Sequence, residues 1–369
     1  MRETHGKENV NNSVAPRTWI CTPRHQWLDI LKAAAMIGVI LVHFNNIWPS
    51  PIDVFSKINE AGAKCPQLLF IVSAYLTWAG LERNGTNWKN FYKKRFIRIA
   101  PLFYSAIILS SIMPRFKMLD ISPWNWLSHI FFLNGVNPLW ANSIMGIEWY
   151  IADLALFYML TPLLRKIASN LRRSLILLCC SAALSSLTLI IYNKFLASDD
   201  PQTQMYFTTF FFIHQLPVMM MGISLFYLTK GNDGTRTRKY LGVLGAIVVF
   251  TALIFVVLHL DKRVLTNSFV AGLFFSWIFL LAWSVRSFFE KGKSTFKALS
   301  FIGVHSFGIY CFHQTVINCA LTVTSQGGFF VWALTLGSVV LLSILVGYLM
   351  ESAQKNLTKR IHAKTEDFV

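Results

Sequence analysis

Ten stretches of mainly apolar residues, at 27–47, 65–82, 99–113, 145–164, 174–193, 207–228, 241–259, 268–288, 298–320 and 329–350, dominate this chain. A helix needs about 20 apolar residues to cross the hydrocarbon core of a bilayer. Inside that core every backbone polar group must be satisfied within the protein, so repeated runs of this length dictate a bundle of membrane helices. The composition agrees, with 54% hydrophobic and only 14% charged residues, where soluble domains carry about 25% charged. The expected fold class is all-α, a polytopic membrane bundle of about ten transmembrane helices. The same balance excludes disorder, a collagen-like chain and a disulfide scaffold, and argues against a water-soluble enzyme.

Charge placement sets the orientation. Of the 34 Lys and Arg, 26 fall in the segments 1–26, 83–98, 165–173, 229–240, 286–297 and 351–369, and only seven in the segments between them. Cytoplasmic loops are the ones enriched in Lys and Arg, which puts both termini inside. A further apolar stretch, 124–140, is broken by Asn134, Gly135, Asn137 and Pro138. If it crossed the membrane, every later loop would change sides and the asymmetry would collapse. It is therefore expected to be external, interfacial or re-entrant.

The organisation read from this is a cytoplasmic tail at 1–26, a membrane domain at 27–350 and a cytoplasmic tail at 351–369. No signal-peptide cleavage site and no soluble catalytic domain is read at either end, so any chemistry is expected within the helices. The net charge of +17 is spread over short loops with no zinc spacing or helix-turn-helix pattern, and no nucleic-acid partner is expected. The six cysteines form no CxxC pair and read as small buried hydrophobes; no metal is expected.

Ionisable residues inside the bilayer are costly and mark functional positions. The first run carries Asp29, Lys32 and His43. Asp29 and Lys32 are three apart and can pair on one helix face. Lys32 and His43 are eleven apart, about 16 Å and three helical turns, so both project from the same face. Aligned by depth, Glu148 in IEWYIADLALFY and His313 in FGIYCFHQ fall near His43 in the outer half, with Tyr310 one turn below His313. A carboxylate beside a histidine is a familiar acid–base pair. Asp153 lies deeper and reads as a helix–helix hydrogen-bonding group. At the inner side, KKRFIRIAP places Arg95 and Arg98 on one face, an arrangement suited to a ligand with several phosphates. In LLFIVSAYL, Ser73 and Ala74 are small enough for close helix packing.

These segments resemble the acyltransferase type 3 family. Lys32-AAAMIGVILV-His43 is similar to its Arg/Lys-x10-His motif, with Asp29 as the preceding acid. LLFIVSAYL resembles FF-x-x-S-G-Y/F-L, KKRFIRIAP the R-x-x-R-x-x-P stretch, and SFGIYCFH the late S-x-x-I-Y-x-x-H segment. IEWYIADLALFYMLTPLL is similar to the family's Trp- and Tyr-rich helix ending in Pro. The resemblance runs in family order from about 27 to 350, with Lys32 standing where Arg is commoner and Ala74 where Gly is usual.

It implies transfer of an acyl group, commonly acetyl from acetyl-CoA, from cytosolic acyl-CoA to a hydroxyl of an extracytoplasmic or lipid-linked glycan. The implied setting is a multi-pass protein among the lipids of a bacterial cytoplasmic (inner) membrane. His43 is then the expected general base or transient acyl carrier, and Glu148 the group that orients it. Arg95 and Arg98 would hold coenzyme A phosphates, and Lys32 would meet the donor arm. Asp29 and Ser73 would line its path, and Tyr310 and His313 the acceptor side.

The residues alone leave a rival open. Buried Lys, His and carboxylates mark transport pathways equally well, so a sugar or glycan transporter fits the polar stripe. Against it, the halves show no inverted repeat and no matching pair of broken helices.

Overall fold

The computed structural model describes residues 25–112, 121–230, 245, 267–290, 293–325 and 327–366, with side chains described through 360. The apolar run at 241–259 lies outside the described residues, Gly245 apart. Every regular element among the described residues is helical. Among the described residues, five helical stretches are long and apolar enough to cross a membrane: Gln26–Ile47, Leu171–Leu196, Pro201–Thr229, Asn267–Ser284 and Phe329–Arg360.

The first run folds as α1 (Gln26–Ile47), followed by the short α2 (Asp53–Ala61) and by α3 (Cys65–Asn84). The third is longer than its apolar part: α4 spans Trp88–Ser111 and takes the whole basic stretch into the helix. Asn87 starts it, its side-chain oxygen accepting the Asn90 N–H at 3.0 Å, a standard N-cap. Pro101 lies inside α4 and frees the carbonyl of Ile97 one turn earlier. The Gln354 amide donates to that carbonyl. The broken stretch at 124–140 forms α5 (Pro123–Ile130) and a 3-10 turn at Asn134–Val136. It folds back on the bundle, where the Phe132 ring stacks 5.2 Å from Phe103 of α4.

Next come α6 (Trp149–Ile167), α7 (Leu171–Ile191), α8 (Pro201–Met205) and α9 (Phe212–Thr229), the last two joined by a π-turn at Tyr206–Phe210. α6 begins four residues later than the apolar pattern predicts. Gly146 has φ +82°, a left-handed conformation that glycine adopts without strain and that a helix does not continue through. Beyond the undescribed segment lie α10 (Asn267–Ser284) and the short α11 (Arg286–Phe289).

The run expected as one span at 298–320 is instead two helices, α12 (Ser294–Val304) and α13 (Ser306–Val323), which meet at His305. The last helix, α14 (Phe329–Glu366), continues through most of the expected tail. At 38 residues it is about 57 Å long at 1.5 Å per residue, well beyond the hydrocarbon thickness.

α1 packs against α3, α12 and α13; α9 packs against α3, α7 and α10; α3 joins the two groups. α12 approaches α1 so closely that a Cβ on Gly303 would fall 1.7 Å from the Asp29 carbonyl oxygen. Only glycine fits there. At one end of the bundle Glu82 of α3 pairs with Arg165 of α6 at 2.7 Å and with Lys230 just after α9, so three helices end together.

The outer faces stay apolar. Leu175, Ile176, Leu184 and Leu187 of α7, and Leu334, Leu341 and Leu345 of α14, are exposed. A surface of this kind is matched to lipid tails rather than to water. This is a multi-pass membrane bundle. One expectation about cysteine changes here: Cys179 and Cys180 sit exposed on α7 instead of buried, whereas Cys311 is buried as a free thiol, as expected.

Candidate functional site

Lys32 is the meeting point of two spaces. One is a vestibule of about 810 Å³ at the basic end, lined by Lys32, Arg83, Lys94, Arg98, Lys355 and Lys359 with the acids Asp29 and Glu351. The other is a narrow internal cavity of about 60 Å³ bounded by Lys32, Ser73, Arg95, Arg98, Tyr150 and Tyr310. Lys32, Leu76 and Arg98 line both. The narrow cavity is far smaller than the vestibule.

α1 supplies the pair expected from its spacing: Lys32 Nζ lies 2.7 Å from Asp29 Oδ1. Ser300 of α12 donates to Asp29 Oδ2 at 3.3 Å, one turn before the Gly303 contact. Arg95 is held flat. Its guanidinium lies 4.6 Å from the centroid of the Tyr158 ring and 5.3 Å from that of Phe91, and it donates to Thr77 Oγ1 at 3.1 Å. Cation–π contact and a hydrogen bond together fix its plane. Arg98, one turn on, makes no ion pair among the described residues and is exposed.

From the inner end of the cavity a line of rings leads away from the basic end. Tyr150 meets Tyr310 at 4.6 Å between centroids, Tyr310 meets His313 at 5.5 Å, and His313 meets His43 at 5.2 Å. Thus α1 and α13 bring the two expected histidines side by side. His313 Nδ1 lies 2.7 Å from the Tyr310 carbonyl oxygen, so it carries the proton and donates. Nε2 is then left as an acceptor, buried and without a partner among the described residues. His43 is half-buried.

Glu148 departs from expectation. It lies just before α6, fully buried, and among the described residues no contact joins it to His43. Its carboxylate accepts the N–H groups of Ile144 (2.6 Å), Met145 (2.7 Å) and Ile147 (2.7 Å). The physical reason is the late start of α6: the loop before it has N–H groups with no helical acceptor, and the carboxylate satisfies three of them. The link to the site is indirect, since the Tyr310 hydroxyl donates to the Ile147 carbonyl at 2.8 Å. Asp153 also departs. Rather than bonding a neighbouring helix, both its carboxylate oxygens are buried with no hydrogen-bond partner among the described residues.

Three participants escaped sequence reasoning. His129 lies in the broken stretch, is 1% exposed, and places Nε2 3.6 Å from Glu148 Oε1. Its ring nitrogen Nδ1 bonds the Asn125 carbonyl at 2.9 Å. Tyr150, two residues after Glu148, was not singled out, yet it is 4% exposed and lines the narrow cavity. Glu351 opened the expected tail, yet it accepts the Gly308 N–H at 2.9 Å and faces His305 Nδ1 at 2.9 Å. It thereby caps α13 from another helix, where His305 gives no side-chain cap. No signal in the sequence connects residues so far apart.

Among the described residues no group of three or more His, Cys, Asp or Glu is placed to hold a metal ion. What the arrangement offers is a basic mouth, a narrow channel and a buried acceptor nitrogen beside a second histidine.

Residues 25–352 match the family model described as an acyltransferase domain. Over 327 residues the chain is 24% identical to the O-acetyltransferase OatA of Staphylococcus aureus strain NCTC 8325, and equally to that of strain COL. The alignments cover 81% of this chain and 52% of those proteins, so the chain spans about half the length of the curated relatives it matches. It is also 24% identical over 171 residues to the Regulator of hypoxia-inducible factor 1 of Caenorhabditis elegans, covering 37% of this chain and 33% of that protein. No solved structure matches the chain.

Proposed function

The chain belongs to the acyltransferase type 3 family, and from that premise we propose that it is a membrane O-acetyltransferase. The donor is acetyl-CoA from the cytosol, and the acceptor is a hydroxyl of an extracytoplasmic or lipid-linked glycan. In this reading the chain crosses a bacterial inner membrane ten times with both termini inside. The basic end of the bundle is then cytosolic and the histidine pair faces the far side.

The observation that carries the reading is that the vestibule and the narrow cavity share Lys32, Leu76 and Arg98 as walls, and that the narrow cavity is bounded by Tyr310, whose ring centroid lies 5.5 Å from that of His313. Guanidinium and ammonium groups at the mouth suit the donor's phosphates, and the slender neutral arm suits the narrow cavity. The acceptor hydroxyl approaches through the half-buried side of His43. Its oxygen attacks the thioester carbonyl, its proton goes to a histidine nitrogen, the C–S bond breaks, and the leaving thiolate collects that proton. His43 is the base in this scheme. His313, with Nε2 unprotonated, accepts from His43 or from the acceptor itself. Glu148 acts as a positioning residue that holds the loop receiving the Tyr310 hydroxyl.

The test uses purified protein in liposomes, wild type beside His43→Ala, supplied with radiolabelled acetyl-CoA and membrane glycans. Free coenzyme A and label on glycan should appear with wild type and fall at least 100-fold with the variant. A well-folded wild type that neither binds nor consumes acetyl-CoA would overturn the donor assignment.

A further inference from the structure

A third space opens off the same arginines. Between the end of α3 and the start of α4 lies a side pocket of about 310 Å³, lined by Gly80, Asn84, Asn87, Asn90, Phe91 and Lys94, with Arg95 and Arg98 as its inner wall. Arg98 alone among the basic residues borders all three spaces, the vestibule, the narrow cavity and this pocket. The three differ in chemistry: one is cationic, one slender, and one rich in neutral amides beside an aromatic ring.

Two features of the pocket are not required by packing. Gly80 lies inside α3, where glycine costs stability relative to alanine. A Cβ there would meet nothing within 4 Å, so no neighbouring helix requires the small residue; the open space lies on the pocket. The side-chain amides of Asn84 and Asn90 make no hydrogen bond among the described residues. Asn87 uses only its oxygen, on the Asn90 N–H at 3.0 Å, and keeps its NH2 donors. An asparagine amide matches the paired donor and acceptor on an adenine edge, and an aromatic face stacks on any base.

Resting on the acyltransferase reading, we propose that this side pocket receives the adenine of the donor's nucleotide. The phosphates then bridge Arg98 and the vestibule, and the thioester arm turns into the narrow cavity. The donor is thus divided among three spaces that share one arginine, and Gly80 is kept small to leave room for the flat purine.

The experiment compares two donors, acetyl-CoA and acetyl-pantetheine, which lacks the nucleotide. The readout is the ratio of their kcat/KM values in wild type, Gly80→Leu and the double variant Asn84→Ala/Asn90→Ala. The ratio should fall at least about ten-fold in both variants, and inhibition by adenosine 3′,5′-bisphosphate should weaken in parallel. A ratio unchanged within two-fold overturns the pocket assignment. If Gly80→Leu fails to fold by its melting profile, the asparagine variant decides, because both side chains are exposed. A wild type that turns over neither donor overthrows the acyltransferase reading and this assignment with it. A wild type that uses both donors, with variants at the same ratio, overthrows the pocket alone.

Discussion

At the basic end Arg98 is exposed and makes no ion pair among the described residues, and the vestibule measures about 810 Å³, whereas at the other end Glu148, His129, Tyr310 and His313 are each 0–1% exposed. There the polar groups are tied to backbone: Glu148 to three N–H groups, His313 to the Tyr310 carbonyl, Tyr310 to the Ile147 carbonyl. A site that admits and releases a large anion needs room and unspent charge. A site that moves a proton needs fixed geometry and excluded water. On the proposed function, recognition falls at one end and chemistry at the other, and that division can be broken by variants at each.

The largest effect is expected at His313. In His313→Asn the amide nitrogen takes the place of Nδ1 and keeps the bond to the Tyr310 carbonyl, while the group at Nε2 is lost. In His313→Gln a polar group returns near Nε2. If the free nitrogen takes part in proton transfer, kcat should fall about 100- to 10,000-fold in His313→Asn, with partial recovery in His313→Gln and little change in KM. Equal activity of His313→Asn and wild type would reduce His313 to a packing residue and break the contrast.

Glu351 tests whether the two ends are joined. It lines the vestibule and also caps α13, the helix that carries Tyr310 and His313. Glu351→Ala removes the acceptor of the Gly308 N–H and the carboxylate facing His305 Nδ1, a cost of about 2 kcal/mol. Turnover should fall more than the melting temperature alone explains, and Glu351→Gln, which keeps an acceptor, should restore part of it. A smaller effect is expected at the open end. On the proposed donor site, Arg98→Ala removes the cation assigned to the donor's phosphates and should raise KM for acetyl-CoA about ten-fold, with kcat nearly unchanged. A drop in kcat with constant KM would move Arg98 into the chemistry.

How much of this was legible in the sequence follows from the range over which each signal acts. The helices were readable because apolar runs are local, and the pairing of Asp29 with Lys32 because i,i+3 neighbours share a face. Depth put His43 and His313 at one level of the membrane, and the structure adds their contact. The break at His305 was not readable: the apolar run continues through it without proline, and what ends one helix and starts the next is a carboxylate 46 positions away. Glu148 misled for a related reason. Its place in an apolar run suggested a helical side chain aimed at His43, whereas Gly146 delays the helix and turns the carboxylate onto its own loop. Local pattern fixed the elements; contacts between distant segments fixed their ends and their chemistry.

The smallest effect concerns the wall that keeps the open end in shape. Pro101 cannot donate to the Ile97 carbonyl, and the Gln354 amide from α14 donates there in its place, with Arg98's carbonyl also within 3.5 Å. The residues around this contact, Ile97, Leu102, Gln354 and Thr358, separate the vestibule from an apolar groove between α4 and α14. Gln354→Leu leaves the carbonyl without a partner and should cost about 1 kcal/mol. In a Pro101→Ala background the helix regains its own N–H, the carbonyl no longer depends on Gln354, and the same substitution should cost close to nothing. Apparent melting temperatures of the four proteins of this cycle measure the coupling. If Gln354→Leu costs the same in both backgrounds, Gln354 contributes by packing, and the wall stands without the bond that the proline makes necessary.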